Sequence, residues 1–173
     1  MKKLQSASVF LILMLLLFSC KKDDIVDSAP PEEVQKPDFA YGVNAADILV
    51  MVNEVRKSGC NCGATYMPPV NELTWNDALG KAAYAHSEDM KANNYFDHKG
   101  SDNSNPGARI TAAGYSWITY GENIALGQTT ERIVMNSWLK SEGHCKNIMN
   151  AGFKEMGLGR TGNYWTQVFA AKK

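Results

Sequence analysis

Apolar positions recur along the chain with two different periods, and the period changes mark its elements. Ile48, Met51, Val52 and Val55 fall at i, i+3, i+4 and i+7, one face of a helix. Asn44 can cap that helix, which runs to about Lys57 and stops at Ser58-Gly59. A loop with Cys60, Cys62, Gly63 and Pro68-Pro69 follows. Asn76 can cap a second helix, to about Asn93, with the stripe Leu79, Ala82, Ala83, His86 and Met90. Residues 94 to 107 are polar and turn-rich, and a short helix is expected from Gly107 to Ala113, ended by Gly114.

The second half is mixed. β-type residues run from Tyr115 to Leu126, interrupted by Gly121-Glu122-Asn123, which predicts a strand at least over Ile124 to Leu126. Thr129-Thr130 can cap a helix from Glu131 to Lys140. Ser141 to His144 reads as a break, and Cys145 to Met149 as a further helical turn. Met156 to Thr161 and Tyr164 to Ala170 read as strands joined by a Gly162-Asn163 turn. The expected class is α+β, a three-layer α-β-α sandwich around a small antiparallel sheet.

The N-terminus belongs to a different regime. Val9 to Phe18 is a run of ten apolar residues behind Lys2 and Lys3. A bilayer span needs about 20, so the run fits a signal-peptide core. Leu17-Phe18-Ser19-Cys20, followed by Lys21-Lys22-Asp23-Asp24, resembles a bacterial lipoprotein signal. The resemblance implies that residues 1–19 are removed and that Cys20 carries the acyl chains, palmitate among them. The charged stretch after Cys20 resembles the surface-export signal of Bacteroidetes-type lipoproteins. Residues 20–43, rich in Asp, Glu, Pro and Lys, then form an extended tether, and 44–173 the folded domain. The expected location is extracytoplasmic, lipid-anchored to a bacterial membrane, and exposed on the outer membrane.

Composition narrows the partners. The 173 residues are 45% hydrophobic and 21% charged, with 18 basic and 18 acidic side chains. Loss of Lys2 and Lys3 leaves 16 basic against 18 acidic residues, a net charge of −2. No basic excess remains for a nucleic-acid partner. The domain is expected to be a monomer.

The candidate chemistry is sparse. His86 lies on an apolar helix stripe and reads as a core histidine with a satisfied hydrogen bond. His98 and His144 lie at the edges of elements, and Glu122 stands between Gly121 and Asn123 on an irregular stretch. Two imidazoles and a carboxylate can hold a divalent metal such as Zn²⁺ weakly, or serve as acid and base. There is no His-Glu-x-x-His helix, Gly-x-Ser-x-Gly elbow or phosphate-binding glycine loop. Ser141 is three residues from His144 without a mark of activation.

Several segments in order resemble the CAP superfamily of cysteine-rich secretory, antigen-5 and pathogenesis-related proteins, in its bacterial branch. They are Leu73-Thr74-Trp75-Asn76, His86-Ser87-Glu88-Asp89-Met90, Tyr95-Phe96-Asp97-His98, Gly121-Glu122-Asn123-Ile124-Ala125, Trp138 with Ser141 to His144, and Tyr164 to Phe169. The family's cleft holds two His and two Glu. Phe96-x-His98 matches the first His and Gly121-Glu122-Asn123 the first Glu. The second Glu position falls on Ser141, with Glu142 next to it, and the second His position on Tyr164. His144 can substitute in the same cleft.

The implied function is a cell-envelope binding module that takes a lipid, a peptide or a divalent metal in a polar His/Glu cleft. The alternative is a hydrolase of a surface polymer or peptide working through His98, Glu122 and His144. With Cys20 acylated, three cysteines remain. Cys60 and Cys62 are too close in sequence to bridge each other without strain, which leaves Cys145 as the distant partner. The adjacent Gly63 resembles the bacterial branch's Cys-Gly element and selects Cys62 for a Cys62–Cys145 disulfide.

Overall fold

The computed structural model describes residues 39–173. The expected signal peptide, the expected lipidation site at Cys20 and most of the expected tether lie outside the described residues.

The first helix, α1 (Ala45–Ser58), starts where the Asn44 side chain accepts the Asp47 amide. The expected loop after it is a small hairpin instead, β1 (Cys60–Cys62) and β2 (Thr65–Met67). Cys62 pairs with Thr65, so only Gly63 and Ala64 turn the chain. Gly63 takes a φ of +60°, which a glycine adopts without cost. Cys-Asn-Cys carries no alternating apolar pattern, so periodicity does not reveal this strand.

The strand β3 (Thr74–Trp75) leads into α2 (Asp77–Ala92), capped by the Asn76 carboxamide on the amides of Ala78 and Leu79. The short helix α3 (Pro106–Ala112) is capped by Asn105, with Pro106 opening it. Then come β4 (Trp117–Leu126), α4 (Glu131–Lys140), α5 (Glu142–Ile148), β5 (Glu155–Thr161) and β6 (Tyr164–Lys172). The expected break at Ser141 to His144 narrows to Ser141 alone, and His144 is helical.

The main sheet has the order β3-β5-β6-β4. The pairs β5–β6 and β6–β4 are antiparallel, and β3 adds a short parallel pair with β5, so the sheet is mixed rather than purely antiparallel. The strand β6 is buried along almost its whole length, as a strand covered on both faces must be. Trp165 and Phe169 pack with Ile48, Val52, Trp138 and Ile148 of α1, α4 and α5. Val168 and Ala170 point the other way, against Leu79, Ala83 and Ile110 of α2 and α3. This alternation produces the three layers, helices on each side of one sheet.

On the α2 side the helix rests directly on the strand. A Cβ on Gly157 would lie 2.1 Å from the Gly80 nitrogen, and one on Gly159 would lie 2.2 Å from the Tyr84 nitrogen. Two side-chain-free positions on β5 and the small residues of α2 together set this close approach.

The cysteines tie the hairpin to α5. Cys62 and Cys145 are disulfide-bonded and fully buried, the pairing expected from the sequence. Cys60 is free and half-buried. Burial pushes its thiol pKa up. Arg56, fully buried on α1, reinforces this junction from below. Its Nη1 donates to the carbonyls of Ile148 (2.6 Å) and Asn150 (3.0 Å), and its Nε to that of Asn71 (2.8 Å). A cation at the last carbonyls of α5 also opposes the negative end of that helix.

Candidate functional site

The site forms on β4, the outer strand of the sheet. Its free edge lets elements from both helical layers meet around one residue. Glu122 pairs with Val168 and Asn123 with Gln167, so the two neighbours serve opposite faces. Gly121, just before them, has no room for a side chain: a Cβ there would lie 2.7 Å from the Phe153 ring.

Glu122 is nearly covered, its side chain 3% exposed, and both carboxylate oxygens are engaged. His98 Nδ1 is 2.7 Å from Oε1, and Arg109 Nη2 donates to Oε2 at 2.8 Å. A carboxylate oxygen accepts, so Nδ1 carries the hydrogen. The His98 ring is 52% exposed, and among the described residues its other nitrogen has no hydrogen-bond partner. The hydrogen bond to Glu122 is the main cause that raises the His98 pKa, opposed by partial burial.

The loop that carries His98 is fixed from three directions. Arg109 Nη2 also donates to the His98 carbonyl at 2.9 Å. His86 Nε2 bonds the Asp97 carbonyl at 2.9 Å from inside the domain. His86 is thus the buried core histidine expected from its helix stripe, and burial lowers its pKa. Asp89 gathers the ends of the loop, accepting from the Ser101 amide (2.9 Å), the Ser101 hydroxyl (2.5 Å), the Asn93 amide group (2.8 Å) and the Tyr95 hydroxyl. Burial pushes the Asp89 carboxyl up, but these donors outweigh it and hold it at about 2.

The helix α5 closes the other side. Asn147 Nδ2 donates to the Glu122 carbonyl (3.1 Å) and to Asn123 Oδ1 (2.9 Å). Asn123 Nδ2 donates to Gln167 Oε1 (3.1 Å) and to the His144 carbonyl (3.2 Å). This amide ladder sets the position of His144, which is half-buried. Burial lowers its pKa, and the nearby charge of His98 lowers it further. The two imidazoles are thus pushed in opposite directions, His98 up by its bond to Glu122 and His144 down by burial.

The remaining sequence candidates stand apart from this group. Glu142 is ion-paired with Lys146 at 2.5 Å and faces the Gly63 turn. Ser141 is the junction between α4 and α5, and its side chain caps neither helix. Tyr164 pairs with Leu126, four residues along the ladder from the Glu122–Val168 pair, or roughly 13 Å at strand spacing. Arg109 is the residue that sequence reading missed. The local signal was slight: an arginine in the second turn of a capped helix that directly follows the His98 loop.

Comparison with known proteins places the chain in a family. The profile of the cysteine-rich secretory protein family, CAP, matches residues 49–169. YkwD of Bacillus subtilis is 44% identical over 102 residues, covering 58% of this chain and 40% of its own. The membrane protein YlbC of the same organism is 35% identical over 98 residues, covering 57% of this chain and 28% of its own. The chain thus spans less than half the length of these curated relatives.

Among solved structures, an extracellular SCP-domain protein of Bacillus anthracis superposes with a TM-score of 0.66 at 30% identity, covering 74% of this chain and 40% of that one. An outer surface protein of Borrelia burgdorferi shares the fold, with a TM-score of 0.63 at 22% identity, covering 74% of this chain and 92% of that one. By sequence profile and by fold, the chain belongs to the CAP family of cysteine-rich secretory proteins.

Proposed function

We propose that the chain is an extracytoplasmic, lipid-anchored binding module whose cleft receives an anionic group, a phosphate or carboxylate of a lipid or peptide. The observation that carries this reading is the pairing of Glu122 with two donors at once. Arg109 and His98 together bring two positive charges to one carboxylate when His98 is protonated. The exposed His98 ring is then the outward donor, and Arg109 with protonated His98 outnumbers the single Glu122 carboxylate they share. The extracellular SCP-domain protein and the outer surface protein among its structural neighbours support the location. No helix among the described residues is long and apolar enough to cross a membrane; the anchor in this reading is the lipoprotein-like signal ending at Cys20.

Zinc fits this cleft less well than an anion. Both Glu122 oxygens are engaged, and Arg109 places a cation beside them. Glu122 orients His98 rather than offering a free oxygen. One nitrogen each from His98 and His144 would need water to complete a zinc shell.

One observation favours the hydrolase reading as a second choice. His98 is pushed toward its charged form and His144 toward its neutral form. Neighbouring groups with pKa values driven apart can serve as acid and base.

Calorimetric titration with phosphatidylglycerol vesicles and with an acidic peptide tests the first reading. Binding should be tighter at pH 6 than at pH 8 and should be lost in His98→Ala. Cleavage of the peptide that disappears in His144→Ala would replace binding with hydrolysis as the function.

A further inference from the structure

A second group of side chains with metal chemistry lies away from the cleft. Cys60, Cys62 and Cys145 come from the hairpin and from α5, and their sulfurs all lie within 4.8 Å of one another. The Cys60 sulfur is 3.6 Å from that of Cys145 and 3.9 Å from that of Cys62. Among the described residues this is the one cluster of His, Cys, Asp or Glu donors spaced for a metal ion.

The spacing is informative. Zn²⁺ binds thiolates at about 2.3 Å in tetrahedral geometry, which places ligand sulfurs about 3.8 Å apart. Two of the three sulfur pairs already have that separation. The third pair is closed by the disulfide. The three sulfurs form a triangle rather than a line, which suits ligation of one ion better than in-line displacement of one sulfur by another.

We infer that the reduced chain uses Cys60, Cys62 and Cys145 as a three-thiolate site for a thiophilic d¹⁰ cation, Zn²⁺ being the reference ion. The disulfide-bonded chain and the metal-bearing chain are then two states of one site. A dithiol donor converts the first toward the second. It gives two electrons and two protons to the Cys62–Cys145 bridge and leaves as its own disulfide. Zn²⁺ then replaces the three thiol protons.

The surroundings keep the sulfurs together without the bridge. The Gly63 turn lies against Glu142, where a Cβ would approach its carboxylate to 2.9 Å. Arg56 ties α1 to the end of α5 through the Ile148 carbonyl at 2.6 Å. Access is from the Cys60 side, where a cavity of about 290 Å³ is lined by Glu54, Ser58, Cys60, Asn61 and Leu139. Water entering there can supply the fourth ligand. This inference is independent of what occupies the His98 cleft.

The full chain in detergent, reduced with a phosphine and freed of it without oxygen, tests the proposal. Titration with Zn²⁺, followed by native mass spectrometry, should give one ion per reduced chain and none on these sulfurs in the oxidised chain. Co²⁺ in its place should give the sulfur-to-metal charge-transfer absorption of thiolate ligation. Cys60→Ser keeps the bridge for folding and, once reduced, should bind Zn²⁺ about 100-fold more weakly or worse, since losing a ligand exceeds the loss of an outer partner. Cys20→Ser should change nothing.

Equal affinity in Cys60→Ser overturns the proposal. So does zinc that His98→Ala removes and Cys60→Ser does not, because that ion is in the cleft. Near-ultraviolet circular dichroism decides the remaining case: a reduced chain that loses its aromatic signal and does not regain it with Zn²⁺ has no such site.

Discussion

His98 and Glu122 share a 2.7 Å hydrogen bond across a steep gradient of exposure, one ring half in solvent and one carboxylate almost wholly covered. Solvent can reach the histidine but not its partner. The carboxylate therefore acts on the outside through the imidazole. Glu122→Gln should lower the His98 pKa, because the hydrogen bond to Glu122 is the main cause of its rise. The same change leaves the poorly exposed Arg109 without its counter-charge, at a cost of about 2–3 kcal/mol. Proton NMR titration of His98 and urea unfolding check the two effects. An unmoved His98 titration would show that Glu122 does not control it.

The three histidines should give stability a maximum near pH 6.5. The folded pKa of His98 is raised, so its contribution is complete below the ordinary value of about 6.5 and fades as pH climbs through the folded value. His86 and His144 are lowered, so the folded chain resists their protonation. Their contribution is present above about 6.5 and fades as pH falls toward their folded values. Melting temperature measured from pH 5 to pH 9 should pass through this maximum. His98→Ala should flatten the alkaline limb only. A midpoint that climbs steadily to pH 9 would contradict the assignment.

Removal of the disulfide should be costly but unequal at its two ends. The bridge spans 83 residues of sequence, a loop worth on the order of 4 kcal/mol in the chain-entropy account. Cys145→Ser should lose that amount in urea unfolding. Cys62→Ser should lose less, because Cys60 already lies 3.6 Å from the Cys145 sulfur and can replace the missing partner. Non-reducing peptide maps should then show a 60–145 link. Equal losses in both variants would mean that Cys60 cannot reach.

Two glycine substitutions should diverge. Gly159→Ala drives a methyl group to 2.2 Å from the α2 backbone, and overpacking against main chain costs about 3 kcal/mol or more. Gly143→Ala meets nothing within 4 Å on α5 and should add up to about 1 kcal/mol by helix propensity. Thermal melts of both variants distinguish them.

Cys20→Ser should release the protein from membranes into the soluble fraction. A lipidated N-terminus with several chains anchors stably. If the variant still sediments with membranes after a salt wash, Cys20 is not the anchor.

Helix caps and apolar stripes were the most legible features of this sequence. Asn44, Asn76 and Thr130 cap the helices expected of them, and every residue of the Leu79-to-Met90 stripe is buried. The Gly162-Asn163 turn joins the two expected strands. Where the signal came from tertiary pairing, local pattern failed. Thr74–Trp75 is a strand only because β5 accepts it in parallel, and two residues have no period. His144 is helical because the amide ladder and Arg56 hold α5 against the sheet. Arg109 was invisible for a similar reason. Its role depends on a carboxylate thirteen residues away, and no helical spacing links them.

The Asn147 amide on the Glu122 carbonyl has a consequence for self-association. An open margin of a sheet is a template on which a foreign strand can polymerise. Here the template is interrupted at its middle, because the carbonyl that an incoming amide would need is already taken by a side chain of the same chain. A strand docking along this margin must dislodge Asn147 and with it the bond to Asn123. The arrangement that shapes the cleft therefore also occupies an acceptor on the β4 edge of the sheet.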